Sequence, residues 1–238
     1  MAGLGTLINT VAIIAGGLAG ILLKNIFPER MQDTVTKATG LCVVFIGIGG
    51  AMEKMLAISG QSLESGQSMM IILSFVFGSL IGEFLNIEMR IEQFGSWLKR
   101  KTGNESDAGF LDAFVTSSFT VCIGAMAVVG AIQDGLTGDY TLLLAKAILD
   151  FIIILIMASS MGKGCIFSAI PVALFQGSVT ILARFIQPLL TARAIDCLSL
   201  TGSVLIFCVG INLIWKNTFK VANMLPTIIV AAALSFFI

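Results

Sequence analysis

The sequence contains no histidine among its 238 residues. Histidine is the commonest general base, proton shuttle and transition-metal ligand in proteins, so its absence removes the usual residue of catalytic triads and zinc sites. The five cysteines form no Cys-x-x-Cys pair, and most lie inside apolar runs. We therefore interpret them as small buried apolar residues. We expect no cofactor and no metal site.

Charge is also scarce, at 12% of the residues against 57% hydrophobic, whereas ordinary soluble domains carry about 25% charged residues. Basic and acidic residues number 14 each, so no basic surplus points to nucleic acid. Unbroken apolar runs of membrane-spanning length recur along the chain, unlike the short alternating segments of a β-barrel. The sequence therefore predicts an all-α, polytopic membrane protein that forms one integral domain within a lipid bilayer.

The apolar runs predict eight membrane segments. They cover Leu4–Leu23, Val35–Leu56, Met69–Ile87, Phe110–Ile132, Tyr140–Met161, Cys165–Ile186, Leu189–Trp215 and Val221–Ile238. Residues Glu88–Lys101 interleave apolar and charged side chains, which predicts an amphipathic helix at the membrane interface. Residues 102–108 are interpreted as a polar cytoplasmic loop, and residues 59–68, rich in Gly, Ser and Gln, as a flexible one.

The basic residues predict the orientation. With the N-terminus outside, the inner loops hold ten Lys and Arg residues and the outer loops three. Because such residues concentrate on the cytoplasmic side, both termini are predicted to lie outside. No Lys or Arg precedes the first segment, which is the opposite of a cleavable signal peptide.

Two parts of the chain match each other at a nearly constant shift. Gly17, Ile21, Leu22, Ile26 and Pro28 match Gly177, Ile181, Leu182, Ile186 and Pro188, while Thr39, Gly40 and Phe45 match Thr201, Gly202 and Phe207. Segments 1–3 would then correspond to segments 6–8. Since five is an odd number of segments, the copies would be inverted, an arrangement that recurs in transporters with sites near the midplane.

The fifth segment carries two opposite charges, Lys146 and Asp150, one helical turn apart. At 1.5 Å per residue, Lys146 lies about 10 Å and Asp150 about 16 Å beyond the outer turn, inside a core of ~30 Å. Charges at such depth are costly and need a reason. Two hypotheses stay open: a neutralised pair that fixes helix packing, or a binding carboxylate that Lys146 holds as a competing internal cation.

The fourth segment presents polar residues at every fourth position: Asp112, Thr116, Thr120 and Gly124, with Ser117 beside them. This spacing places them on one helix face. One interpretation is that the hydroxyls donate to carbonyls of their own helix. The other is a polar pathway from the inner surface toward Asp150.

Three further residues join the candidate binding site. Gln133 and Asp134 begin a predicted turn, Gln133–Asp139, which would make the fourth and fifth segments antiparallel neighbours. Asn9 lies in the first segment, as Gln176 lies in the sixth. A single polar residue in a membrane helix is more often an interhelical hydrogen bond than a ligand, so both interpretations stay open.

Several motifs make the sequence specific. They are Gly5-Thr6-x-x-Asn9-Thr10-x-x-Ile13-x-x-Gly16-Gly17-x-x-Gly20, then Cys122-x-Gly124-Ala125-Met126-Ala127-x-x-Gly130-Ala131-Ile132-Gln133-Asp134-Gly135, Gly138-Asp139, Lys146, Asp150, Ala158-Ser159, Gly162 and Phe167-Ser168-Ala169. With them the chain resembles, over nearly its whole length, the uncharacterised bacterial inner-membrane family numbered 554 among domains of unknown function, also called YqgA-like. The resemblance implies a bacterial cytoplasmic membrane. That family has no established activity and is suspected of containing transporters or channels.

The sequence thus favours a transporter or channel for a small solute or ion, with a polar site near the midplane. The alternative is a non-transporting scaffold, lipid-interacting factor or partner subunit. A cavity that reaches Asp150 would favour transport, and a packed interior the alternative. A hydrolase built on Ser117 and Lys146 would lack a Gly-x-Ser-x-Gly elbow, so we expect no enzyme. Glycine-lined helix faces permit a homo-oligomer.

Overall fold

The computed structural model describes residues 3–24, 28–59, 62–122, 125–189, 191–215 and 218–236, and most of them are helical. The helices are α1 (Leu4–Lys24), α2 (Glu29–Met55), α3 (Ser68–Leu85), α4 (Ile87–Lys101), α5 (Phe110–Cys122), α6 (Ala125–Thr137), α7 (Thr141–Met161), α8 (Ala169–Ile181), α9 (Ala183–Ile186), α10 (Ala192–Ile214), α11 (Val221–Met224) and α12 (Pro226–Leu234). In hydrocarbon a helix satisfies its own backbone hydrogen bonds, which is why apolar runs adopt it. The predicted helical membrane fold is confirmed.

Six helical stretches of the described chain are long and apolar enough to cross a membrane. They are Leu4–Leu23, Arg30–Met55, Ser68–Leu85, Thr141–Met161, Lys163–Ile181 and Ala192–Ile214. Large apolar side chains on them point outward, with Phe84 at 90% and Ile181 at 81% exposure. These apolar surfaces are favourable in contact with lipid, because exposing them to water would carry a large free-energy cost.

The predicted fourth segment, Phe110–Ile132, is not one continuous helix. It consists of two helices, α5 and α6, that meet at an angle of 61°. The predicted site residue Gly124 falls at this break, on residues 123 and 124, which lie outside the described ranges. Glycine is a poor helix former, and sharp bends concentrate at such positions.

The directions of the neighbouring helices agree with one crossing of the membrane by the bent pair. Gly5 of α1 lies beside Leu143 of α7, and Gly20 lies beside Ala158, so α1 and α7 run parallel. Between them, α2 and α3 each cross once, and α4 is too polar to cross. A re-entrant α5–α6 loop would leave α7 antiparallel to α1. The parallel arrangement therefore requires that α5 and α6 together cross once.

As predicted, this span is an antiparallel neighbour of α7. Lys146 bonds to Val121 near the end of α5, while Gly130 in α6 lies against Leu143, nearer the start of α7. The predicted turn Gln133–Asp139 is partly wrong, because α6 continues to Thr137. A buried contact of Asp134 with α1 overrides the turn-forming composition of these residues.

The predicted flexible loop at residues 59–68 is also wrong in part. Leu56–Ser59 (β1) and Ser62–Ser65 (β2) pair as an antiparallel hairpin, with Ile58 opposite Leu63. The first strand continues directly from the end of α2. Backbone pairing over four residues of each strand therefore replaces part of the predicted loop.

The last predicted segments are interrupted. The sixth begins as a 3-10 turn at Lys163–Ser168 and its helix ends at Ile181, before the short α9. The eighth is divided at Pro226, which starts α12. The fourteen residues of Val221–Leu234 are fewer than the ~20 that span a bilayer as a helix. The count of eight segments therefore stays a prediction.

The predicted amphipathic stretch is helical, as α4. Gly95 and Leu98 are buried on one face, and the ammonium of Lys101 lies 5.1 Å from the centre of the exposed Trp97 ring. Residues 102–108 form no helix or strand. A helix with one buried face and an exposed basic and aromatic surface is typical of the lipid headgroup layer. The interfacial position of α4 stays a prediction.

The helices of the predicted repeat pack in matched pairs. α1 contacts α8, α2 lies along α10, and α3 lies against α12. A twofold axis in the membrane plane would produce these contacts, because each helix near the axis meets its own counterpart. The inverted repeat stays a prediction that this packing supports.

Glycines set the closest helix contacts. A Cβ on Gly16 would lie 2.5 Å from the carbonyl oxygen of Phe151, and one on Gly47 would lie 2.6 Å from the nitrogen of Phe207. These contacts bring α1 against α7 and α2 against α10 backbone to backbone, the close approach that glycine permits in membranes. The α1–α7 contact positions the polar residues of both helices opposite each other.

Gly16→Ala should lower the free energy of unfolding by about 1–3 kcal/mol, because the added methyl group overpacks the α1–α7 contact. Gly49→Ala is the matched control: nothing lies within 4 Å of its added Cβ. Alanine there should be neutral or stabilising by up to ~1 kcal/mol. Thermal unfolding in detergent measures both, and equal melting temperatures would contradict the close packing.

Candidate functional site

A buried ion pair on α7 forms the centre of the candidate site. Lys146 Nζ lies 2.5 Å from Asp150 Oδ2, and the two residues are 6% and 3% exposed. The i,i+4 spacing places both on the face of α7 that is turned toward the interior. The predicted pair is thus present, and neither charge faces lipid.

Three other helices contribute to this pair. Asn9 of α1 donates from Nδ2 to Asp150 Oδ2 at 3.0 Å and to Gln176 Oε1 of α8 at 3.3 Å. Lys146 Nζ also donates to the carbonyl oxygen of Val121 at 2.7 Å, in the last turn of α5 before the break. Residues of four membrane segments therefore form one hydrogen-bonded cluster around the ion pair.

Within the described part of the chain, two polar atoms of this cluster have no hydrogen-bond partner. They are Asn9 Oδ1 and Gln176 Nε2, on fully buried side chains. Leaving a buried polar group unpaired costs about 1–3 kcal/mol, so such groups are rare in native proteins and often lie at functional positions. The cluster therefore has one spare acceptor and one spare donor for a ligand.

Two hydroxyl groups of α5 donate to carbonyl oxygens of their own helix, as the first interpretation of this polar face predicts. Ser117 donates to the carbonyl oxygen of Ala113 at 2.6 Å, and Thr120 donates to that of Thr116 at 2.8 Å. Because Ser117 and Thr120 make these hydrogen bonds within α5, their hydroxyls need no polar pathway to explain them. The other two described members of the face, Asp112 and Thr116, line a cavity instead.

The cavity has a volume of about 420 Å³ and lies at the end of the molecule that the sequence predicts to be cytoplasmic. Its lining comes from α2, α4, α5, α7, α10 and α11 and includes Asp112, Thr116 and Phe119. Asp150 is not part of the lining. The cavity ends near Phe119, and the carbonyl that holds Lys146 belongs to Val121, two residues further along α5.

The charges around this cavity are mostly negative. Asp33, Glu88, Glu92 and Asp112 line it, against Lys37 as the basic residue. Lys37 forms an ion pair with Asp33 at 2.7 Å. Burial raises the pKa of the Glu88 carboxyl, and the charge of Glu92 raises it further. A concave surface with this balance of charge attracts cations.

A second buried carboxylate lies at the other end of the site. Asp134 is fully buried in α6, and its Oδ2 accepts a hydrogen bond from the backbone nitrogen of Gly5 at 3.0 Å. It thereby satisfies one of the free N–H groups at the start of α1, where the helix dipole also favours a negative charge. Its Oδ1 has no partner. The neighbouring candidate, Gln133, is exposed and takes no part.

Polar side chains connect this region with the central pair along the α1–α8 contact. The hydroxyl oxygens of Thr6 and Thr180 lie 3.4 Å apart, one turn from Asn9 and Gln176 respectively. All four residues are buried. This polar column, defined as Thr6, Thr180, Asn9 and Gln176, begins beside Asp134 and ends at Asp150.

Sequence reasoning named Gln176 as an isolated polar residue and did not place Thr6, Thr180 or the Val121 carbonyl in the site. A usable signal was present. Thr6 and Asn9 are three residues apart, and Gln176 and Thr180 are four apart, so each pair lies on one helix face. A carbonyl contributed by the end of a broken helix leaves no such signal.

Comparison with known sequences places the chain in a family. Residues 4–236 match the family described as "Protein of unknown function (DUF554)", to which the chain therefore belongs. This confirms the predicted resemblance.

Two curated relatives cover nearly the same length. The chain is 28% identical over 234 residues to "Uncharacterized membrane protein YdfK" of Bacillus subtilis (strain 168), covering 98% of this chain and 96% of the relative. It is 29% identical over 239 residues to "Uncharacterized protein YqgA" of Escherichia coli (strain K12), with the same coverage. No solved structure matches significantly.

Removal of one charge of the central pair should be more damaging than removal of both. Asp150→Asn leaves a buried ammonium without its carboxylate, a change that costs about 3–5 kcal/mol in buried pairs. The double variant Lys146→Met with Asp150→Asn should recover most of this loss. Thermal unfolding in detergent measures all the variants.

Asp33→Asn is the matched control, since it removes the carboxylate of an exposed i,i+4 pair with Lys37. It should change the free energy of unfolding by about 0.3–0.5 kcal/mol. A double variant as unstable as Asp150→Asn alone would contradict the coupling of the two charges.

Proposed function

We propose that this protein is a membrane transporter or channel for a small solute or ion, and that its binding site is the cluster around Asp150. One observation carries the proposal. The Lys146–Asp150 pair is buried within a membrane span and bonds to a carbonyl at the end of a broken helix.

The cost of the pair supports a functional role. Charged groups inside membrane spans are expensive, and they usually mark the paths of ions and substrates. Apolar residues of similar volume would fix the helix packing equally well, since they often replace buried ion pairs without loss of stability. The two unpartnered amide atoms beside the pair are a further cost that a bound ligand would remove.

The broken span supports the same conclusion. Non-helical backbone at membrane depth is tolerated where it is buried in protein or lines a cavity. Discontinuous helices form the substrate sites of many transporters, because their ends present unpaired backbone groups and partial charges to a ligand. Here the end of α5 supplies the Val121 carbonyl directly to Lys146.

Polar residues approach the site from both ends of the molecule. The acidic cavity extends from one end to the region of Phe119, and the polar column extends from Asp134 at the other. The described lining of the cavity does not include Asp150, so the site is separated from the cavity. Such a separation is expected of the occluded state that a transporter passes through between its two open states.

A packed scaffold is the second candidate, and one observation favours it. The cavity does not include Asp150 in its lining, and the hydroxyls of Ser117 and Thr120 bond within α5. In this alternative the charged pair fixes the positions of α1, α5, α7 and α8.

Flux measurements separate the two candidates. The protein would be reconstituted into liposomes, and stopped-flow light scattering would follow shrinkage and recovery under gradients of polyols, amino acids and alkali chlorides. We expect wild type and Glu53→Gln, which removes an exposed carboxylate outside the acidic cavity, to accelerate the equilibration of at least one of these solutes. The folded double variant at Lys146 and Asp150 should not. Equal rates for wild type and the double variant across the panel would favour the scaffold.

We further propose that the protein lies in a bacterial cytoplasmic membrane with both termini outside. The ten inner and three outer basic residues of the predicted topology support this orientation. Fusions of a periplasmic reporter enzyme and a cytoplasmic fluorescent reporter to the C-terminus test it. The periplasmic reporter should be active and the cytoplasmic one dark, and the reverse result would contradict the eight-segment order or its orientation.

A further inference from the structure

The ammonium group of Lys146 occupies a position bounded by oxygen atoms. It lies 2.5 Å from Asp150 Oδ2 and 2.7 Å from the carbonyl oxygen of Val121. We propose that this position is a binding site for a monovalent alkali cation, which takes the place of the Lys146 ammonium. The inference rests on the proposed function and names the ligand class of the same site.

The atoms around the position suit a hard cation of single charge. Asp150 Oδ2 and the Val121 carbonyl oxygen contact the position directly. Asn9 bonds to both Asp150 Oδ2 and Gln176 Oε1, so two amide side chains with further oxygen atoms lie next to the carboxylate. Carboxylate and carbonyl oxygens are the ligands of alkali and alkaline-earth ions, whereas thiols and imidazoles select transition metals. Among the described residues no three His, Cys, Asp or Glu side chains form a metal cluster, and Asp150 alone balances one positive charge.

The unpartnered atoms point to the same ligand. Asn9 now donates from Nδ2, which leaves its Oδ1 buried without a partner. A half-turn of the amide would place Oδ1 where Nδ2 lies, between Asp150 Oδ2 and Gln176 Oε1. Three oxygens that face one another in a buried site repel, unless a cation lies between them. The Asn9 amide can therefore serve the ammonium-bound and the cation-bound site with opposite ends.

Cation and ammonium exclude each other at this position. Two like charges this close repel strongly in a buried site, where water does not screen them, and Asp150 can neutralise only one. Binding of the cation therefore requires that Lys146 Nζ leave the carboxylate. Lys146 acts as an internal competitor that keeps the buried site neutral when the cation is absent.

Access from the acidic cavity is consistent with this ligand. Asp112, Glu88 and Glu92 raise the local concentration of cations in the cavity, which begins at the start of α5 and extends toward Phe119. No comparable surplus of basic residues lines that cavity to admit an anion. The charge of the entrance and the oxygen atoms of the site thus select the same class of solute.

The test measures thermal unfolding of the purified protein in NaCl, KCl or LiCl against choline chloride at equal ionic strength. Lys146→Met removes the competitor and leaves Asp150 alone, so this variant should gain the most. Its melting temperature should rise by roughly 5–10 °C at a hundredfold excess over the dissociation constant. Wild type should gain less, and Lys146→Arg, which retains an internal cation, should behave like wild type or gain less still.

Asp150→Asn and the double variant should melt at the same temperature in alkali chloride as in choline chloride. Identical melting temperatures of Lys146→Met in all four salts would overturn the proposal, as would an equal rise in the double variant. If Lys146→Met does not fold, displaceable binding of radioactive sodium or rubidium decides. Wild type should bind one of them and Asp150→Asn neither, and the absence of binding to wild type would equally overturn the proposal.

The two proposals can fail separately. Flux of an uncharged solute that depends on Asp150 and is unaffected by any alkali ion would retain transport and remove the cation site. A cation-dependent melting temperature without flux of any solute would retain the cation site and remove transport.

Discussion

The cost of burying a charge in hydrocarbon determines the architecture around α7. Asp150 is tolerated there because Lys146 neutralises it at 2.5 Å and Asn9 donates to it at 3.0 Å. Those contacts require α1 beside α7, and the bond from Lys146 to the Val121 carbonyl requires the end of α5 at the same depth. The glycines of α1 make this possible, since Gly16 and Gly20 bring its backbone against that of α7. The close packing of α1 on α7 and the polar cluster around Asp150 therefore depend on each other.

Much of the fold could be predicted from the sequence, because hydrocarbon leaves few solutions to an apolar chain. Uninterrupted runs such as Tyr140–Met161 are helices nearly at their predicted boundaries. The predicted helix and turn boundaries are wrong where a tertiary contact or a single residue determines the local structure. Gln133 and Asp134 belong by composition to a turn, but the contact of Asp134 with Gly5 extends α6 through them. The angle of 61° between α5 and α6 leaves little trace in hydropathy, which is averaged over many residues.

The candidate site was predictable in its centre and not in its periphery. The charges of Lys146 and Asp150 stand out in an apolar segment, and their spacing alone places them within reach of each other. Which residues complete the site depends on helix neighbours. Asn9 and Gln176 are 167 positions apart in sequence and share a hydrogen bond. The polar face of α5 could not be interpreted from sequence for a related reason. Hydroxyl groups donate to carbonyls of their own helix as readily as they line a polar pathway.

The placement of both charges on a single helix bears on how the protein is made. A membrane segment enters the bilayer as it leaves the ribosome, when later segments have not been synthesised. Asp150 would then meet lipid before Gln176 of α8 exists, and a lone carboxylate at a helix centre costs about 2.5–3.5 kcal/mol for insertion. Lys146 arrives in the same helix, one turn earlier, so α7 can partition into the membrane as a neutral unit. The internal salt bridge thus serves biogenesis as well as the finished site, since assembly with α1, α5 and α8 can follow insertion.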